Sequence, residues 1–260
     1  MKSILALICL AIPPAAAAAG PPSFFIEELT SPEVRDAIAA GATTAIYYAG
    51  STEQNGPHMV TGKHNTIARY VAGQVAARLG NALVYPVMPF APTGDAATKS
   101  GHMRYPGSIT VSDATFAAVA RDVAASARAA GFRTVVLMGD HGGGQKALEK
   151  VAADLDREWA GSGPRVHYVP DVYFGAEKRV REYLEARGLP TGAHAGIPDT
   201  SQLLFLDERS IRRDRMQPGT PDNGVDGDPR QASAELGRVF LDFKVEAVVA
   251  RIRKFTSAGG

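Results

Sequence analysis

Thr134-Val135-Val136-Leu137-Met138-Gly139-Asp140-His141-Gly142-Gly143-Gly144-Gln145 runs from an apolar segment straight into a glycine cluster around one histidine. A short, β-branched, wholly apolar run closed by glycine reads as a central strand of a parallel sheet, where both faces are covered. In such sheets the ligand crevice lies off the carboxyl ends of the strands, which is where His141 stands. The glycines let backbone approach a ligand closely. Taken alone, His141 is as readily a structural histidine as a ligand. A phosphate loop opening a helix is another reading of the glycines. The spacing matches neither the Walker nor the dinucleotide pattern, and no Lys-Ser/Thr pair follows.

The pattern on either side alternates strand and helix, which predicts a parallel sheet with helices on both faces. Upstream, residues 43–49 read as a strand and 65–79 as a helix, with Ile67, Val71, Val75 and Leu79 on one stripe and Gly80 at its end. Residues 82–88 read as the next strand. Residues 89–107 form a long Pro/Gly-rich loop, a length that usually serves a function. A helix capped by Asp113 runs to about Ala130. Downstream, 146–159 is helical, 166–170 is a strand, and 176–187 is an amphipathic helix. Residues 201–206 continue a segment that begins at His194. An acidic loop spans 222–228, and a closing helix spans 234–255. The fold class expected is one α/β domain, a three-layer αβα sandwich with a mainly parallel sheet.

Three segments concentrate the donor side chains. Gly50-Ser51-Thr52-Glu53-Gln54-Asn55-Gly56-Pro57-His58, followed by His64, comes directly after a strand. Glu53 and His64 are donors suited to zinc or manganese, though a polar-capped turn also explains Glu53. The second segment holds Asp140 and His141. The third is His194-Ala195-Gly196-Ile197-Pro198-Asp199-Thr200-Ser201. His194 can move a proton near neutral pH. Asp199 can bind metal, orient a histidine, or cap a helix. His58 and His102 lie in the same loops, whereas His167 falls in an expected strand. No G-x-S-x-G elbow occurs, so a serine nucleophile is not indicated.

The chain has 260 residues, 45% hydrophobic and 21% charged, with a formal net charge of +1. That balance does not point to nucleic acid, whose partners carry a basic face. Residues 1–19 have the layout of a secretory signal peptide: Lys2, a short apolar run, Pro13-Pro14, then alanines. The run is too short to span a bilayer. Export to the periplasm or outside the cell is expected, with 20–260 as the working domain and no membrane contact after cleavage. The one cysteine, Cys9, would leave with the leader, so neither a disulfide framework nor a thiolate site is expected.

The three segments, in this order, resemble the creatininase (creatinine amidohydrolase) family. The first is similar to G-S-T-E-Q-H-G-P-H with an acidic ligand six positions on, the second to N-G-H-G-G-N, and the third to H-A-G-x-x-E-T-S. His102-Met103-Arg104-Tyr105-Pro106-Gly107-Ser108-Ile109 and Gly224-Val225-Asp226-Gly227-Asp228-Pro229 extend the likeness. The resemblance implies an α/β domain, often assembled into hexamers, so a homo-oligomer. It implies divalent metal that activates water to hydrolyse a non-peptide or cyclic amide of a small-molecule substrate. Glu53 and His141 match metal ligands, Asp199 stands where the family has a ligand Glu, and His194 matches a histidine beside the substrate.

The departures sit at the metal shell. Asn55 replaces a family metal-binding His, His64 replaces a bridging Asp, and Gly143 stands where creatininase itself has a ligand Glu. Glu53, His64, His141 and Asp199 remain as candidate ligands, enough for one zinc or manganese ion with an open water position. His194 and Asp199 are then the catalytic proton carriers. Asn55, His58, His102 and Asp140 are expected around the substrate or behind the ligands. Residues 168–174 are a candidate pocket lining. Two alternatives stand beside the amidohydrolase: a non-catalytic periplasmic metal- or ligand-binding protein on the same scaffold, and a lactone hydrolase.

Overall fold

The computed structural model describes residues 21–257, so the expected leader at 1–19 lies outside the described residues. In chain order the elements are α1 (Ser31–Ala39), β1 (Thr44–Ala49), α2 (Lys63–Leu79), β2 (Ala82–Val84) and α3 (Asp113–Ala130). There follow β3 (Thr134–Gly139), α4 (Gln145–Glu158), β4 (Arg165–Tyr168), α5 (Phe174–Glu185), α6 (Ile197–Leu206) and α7 (Ala234–Ser257). The four strands form one parallel sheet in the order β2-β1-β3-β4.

The period-two alternation of strands sorts the core into two layers. Ile46, Tyr48, Val136 and Met138 pack with α2, α6 and α7. Ala45, Tyr47, Val135 and Leu137 pack with α3 and α4. Helix α7 sends Leu241, Val245, Val248, Val249 and Ile252 into the first layer. Each such side chain withdrawn from water contributes about 1.5–3 kcal/mol. Helix α5 lies outside this, joined to α7 through Val180, Leu184 and Phe240. Among the described residues no helix is long and apolar enough to cross a membrane.

Several boundaries differ from the sequence expectation, each for a local reason. The strand expected over 82–88 is regular only to Val84, because Pro86 has no N–H to give the ladder. The chain still tracks β1: Tyr85 N–H donates to Ile46 O at 2.9 Å and Gly50 N–H to Met88 O at 2.8 Å. Helix α3 is capped by Ser112, whose hydroxyl accepts from Thr115 N–H at 3.1 Å, rather than by Asp113. Helix α6 begins at Ile197, with Pro198 in its first turn, so Asp199 is helical. Helix α2 begins at Lys63, two residues before the apolar stripe suggests. That early start buries both Lys63 and His64.

The strand order decides where a ligand goes. The chain passes from β1 to β2 on one side, then to β3 on the other side of β1. The connections leave β1 and β3 in opposite directions and open a crevice between their carboxyl ends. Ala49 and Gly139 are register partners at that point. The loops after them carry Glu53 and His141.

Candidate metal centre

The loop after β1 is closed by its own polar side chains. Gly50 passes so close to α2 that a Cβ there would lie 2.2 Å from Asn65 Oδ1, and that oxygen accepts from Ser51 N–H at 3.0 Å. Asn55 Nδ2 donates to Glu53 O and Val60 O, each at 3.0 Å. Asn55 thereby staples the loop that presents Glu53. His58 is also a framework residue: its Nε2 lies 3.0 Å from Thr200 Oγ1 and ties the loop to α6. Burial holds its pKa below the ordinary value.

The loop after β3 is equally constrained. Gly143 N–H donates to His141 Nδ1 at 2.9 Å. A Cβ on Gly143 would sit 1.9 Å from Pro92 O, so only glycine fits. Gln145 donates to Gly139 O at 2.9 Å and His141 O at 2.6 Å, fastening the turn to the start of α4.

Glu53 is the hub, with a fully buried side chain. Its Oε1 lies 3.0 Å from His64 Nε2, 3.6 Å from His194 Nδ1 and 3.7 Å from Lys63 Nζ. Its Oε2 lies 2.8 Å from His141 Nε2 and 3.6 Å from His102 Nε2. Neither contact is aligned as a hydrogen bond, and Oε2 has no hydrogen-bond partner. Burial opposes ionisation of this carboxyl, but the His141 and His64 rings and Lys63 override it and hold the pKa well below the usual range.

Donor atoms of Glu53, His102 and His141 all fall within 4.8 Å of one another. A buried, ionised, unpartnered carboxylate oxygen with two imidazoles beside it suits a divalent ion of the zinc or manganese type. His102, expected only in the surroundings, is thus drawn into the donor group. It arrives on a 3-10 turn (Gly101–Arg104) of the long loop, held by His102 N–H donating to Thr93 O at 2.9 Å. The loop folds back on itself at Gly94, φ 144°, where a Cβ would lie 2.2 Å from Ser100 O.

His64 and Asp199 stand otherwise than a simple ligand count suggests. His64 is clasped between two carboxylates, Nε2 toward Glu53 and Nδ1 2.7 Å from Asp140 Oδ2. Burial and Lys63 oppose a charge on this ring, but Asp140 and Glu53 outweigh them and raise its pKa. Asp140 is a buried anchor behind the site: Oδ1 also accepts from Lys244 Nζ at 2.7 Å and Tyr48 Oη at 2.9 Å. Burial would raise its pKa, but Lys244 and His64 hold it well below the usual range. Asp199 Oδ2 accepts from Lys63 Nζ at 2.5 Å and Ala195 N–H at 2.9 Å. It is therefore engaged in holding the 194–196 turn, where Ala195 adopts φ 53°. Burial disfavours its charge, and Lys63 more than compensates, lowering its pKa.

His194 is oriented by Gln54. Its Nε2 lies 2.9 Å from Gln54 O and 3.1 Å from the Gln54 side-chain nitrogen, while Nδ1 faces Glu53. Burial, reinforced by Lys63, pushes its pKa down to about 3. The Gln54 amide also lies 3.1 Å from His102 Nδ1 and donates to Gly224 O at 3.1 Å, so one side chain positions both histidines. Their rings sit 4.6 Å apart.

Sequence reasoning missed Lys63, Lys244 and Gln54. Lys244 had a readable trace: it lies within the apolar stripe of α7, between Leu241 and Val248. Lys63 had only its place beside His64. Above the cluster opens a cavity of about 610 Å³. Its walls include Tyr173 and Arg181 on the α5 side, and Thr191 and Asp226 opposite. Tyr173 is the one residue of the expected 168–174 lining that reaches it.

The fold has counterparts among solved structures. A mutant creatininase of the Zn-Zn type superposes with a TM-score of 0.74 at 24% identity, covering 89% of this chain and 98% of that one. A manganese creatininase gives 0.71 at 25% identity over the same shares. The mycofactocin precursor peptide peptidase of Mycolicibacterium smegmatis is 28% identical over 231 residues, 79% of this chain and 83% of the relative. Its Mycobacterium tuberculosis counterpart is 27% identical over 229 residues, again 79% and 83%. The family model for creatinine amidohydrolase matches residues 27–252, through every strand and both site loops. The chain therefore belongs to the creatininase family.

Proposed function

We propose that the protein is a metal-dependent amidohydrolase that cleaves an amide C–N bond of a small substrate. The observation that carries this is Glu53 Oε2, buried, ionised and without a hydrogen bond, within reach of His102 and His141 beneath the cavity. A divalent ion held there, zinc or manganese, would polarise a carbonyl and lower the pKa of a bound water toward about 7. Glu53, His102 and His141 would hold it. His64, fixed from behind by Asp140, is placed to steady Glu53 through its other oxygen.

His194 is the proton carrier. Its Nδ1 faces the centre 3.6 Å from Glu53 Oε1, which places it to exchange a proton with water or substrate there. The proton it takes up is then passed to the leaving nitrogen. Gln54 holds the other ring nitrogen, so the transfers are proposed to run through Nδ1. Asp199, expected to share this task, supports it by holding the turn on which His194 sits.

The substrate class has two readings. A cyclic amide follows from the family resemblance. The named peptidases among the relatives favour the end of a short peptide, and a cavity of about 610 Å³ has room for one. Purified protein assayed with zinc, manganese or chelator against lactams, cyclic ureas and short peptides separates them by mass spectrometry of the products. Metal-dependent cleavage of any of these supports the proposal. Tight metal retention without turnover of any of them supports a binding protein instead. We also infer export from residues 1–19, which N-terminal sequencing of the mature chain tests, and a homo-oligomer, which light scattering tests.

A further inference from the structure

We propose that Lys63 is a built-in cation of the centre, its ammonium standing where a second metal ion would otherwise be held, so that the site takes one divalent ion. The inference rests on the metal-dependent reading above and extends it to stoichiometry.

Lys63 opens α2 and is 1% exposed. A buried ammonium is retained only where carboxylates compensate its lost hydration. Here Nζ is 2.5 Å from Asp199 Oδ2 and 3.7 Å from Glu53 Oε1. Those two carboxylates, Glu53 buried and Asp199 half-buried, both face the one ammonium.

The surrounding charges agree. The carboxylates of the cluster are Glu53 and Asp140, both buried, and Asp199, half-buried. Lys63 answers Asp199, and Lys244 answers Asp140. Glu53 is the one left to a metal, through the Oε2 that makes no hydrogen bond. A second dication would meet an ammonium already in place and no carboxylate lacking a partner. Asn55 spends its Nδ2 on Glu53 O and Val60 O, which leaves its Oδ1 without a partner, and Gly143 has no side chain. The fixed cation also does structural work, since the oxygen it holds is the one that accepts from Ala195 N–H beneath His194.

The test counts metal rather than turnover. The full chain is saturated with zinc or with manganese, desalted, and measured by inductively coupled plasma mass spectrometry. Wild type is expected to retain one equivalent. Lys63→Met, which vacates Asp199 and Glu53, is expected to retain a second. Lys63→Gln, whose amide can still hydrogen-bond Asp199, replaces it if circular dichroism shows the Met variant unfolded. Two equivalents in wild type, or one in both wild type and the folded variant, overturns the role of Lys63 and leaves the metal reading standing. No retained metal in wild type overturns the metal reading itself.

Discussion

Asp140 Oδ2 lies 2.7 Å from Nδ1 of His64, and the same carboxylate holds Lys244 at 2.7 Å through Oδ1. One buried acid thus anchors a histidine of the site and a lysine of the closing helix. A carboxylate behind a histidine fixes the ring so that its other nitrogen faces inward, and its loss typically weakens a metal site 10–100-fold.

Asp140→Asn should therefore destabilise the protein by about 3–5 kcal/mol, because Lys244 is left charged and buried without its counter-ion. Asp140→Asn combined with Lys244→Met should recover much of that loss. Urea denaturation measures both. A single variant within about 1 kcal/mol of wild type would show that the pair is not buried as described.

Removing donors should separate metal retention from folding. His141→Ala and Glu53→Gln are expected to lose bound metal after desalting while keeping their circular dichroism spectrum. His58→Ala should do the reverse, keeping metal but losing about 1–3 kcal/mol, since it breaks the tie to Thr200. Normal metal content in His141→Ala would remove that residue from the ligand set.

Gly143→Ala should fail for a steric reason. The added Cβ meets Pro92 O at 1.9 Å, backbone against backbone, with no flexible side chain to yield. A loss of about 1–3 kcal/mol is expected, together with weaker metal retention as His141 moves with its turn. Thermal melting with and without added zinc reads both effects.

Asp156 offers a pH test away from the site. Arg165 and the Val166 N–H hold its pKa below the ordinary value, with partial burial opposing. A depressed folded pKa stabilises above the unfolded pKa of about 3.9 and loses that contribution as pH falls through the folded value. Asp156→Asn should thus melt below wild type at pH 7, and the gap should close as the pH falls below about 3. A gap that stays constant with pH would mean the effect is packing rather than charge.

The sheet was legible because its strands are short apolar runs between glycines, and both site loops could be placed at strand ends from the same pattern. The family motifs carried Glu53 and His141 into view. His102 was harder, since its position depends on a backbone contact between Gly94 and Ser100 that no periodicity encodes. Asp199 reads as a ligand in one dimension because its competitor, Lys63, lies far off in sequence and adjacent in space. The second strand was overestimated at Pro86, where propensity and hydropathy stayed favourable but a donor was missing. Local pattern reports faces and turns. Which of two carboxylates a distant lysine neutralises is decided only by packing.

The donors gathered at the crevice come from separate crossings of the sheet: Glu53 after β1, His102 before α3, His141 after β3. No single loop contains the whole set, so loop closure over long sequence separations must precede capture of an ion. Metal uptake is therefore a reporter of completed assembly. By mass action the ion would raise the melting point of the entire sheet rather than of one loop, and a chelator would act as a global denaturant at temperatures where the metal-free chain is marginal.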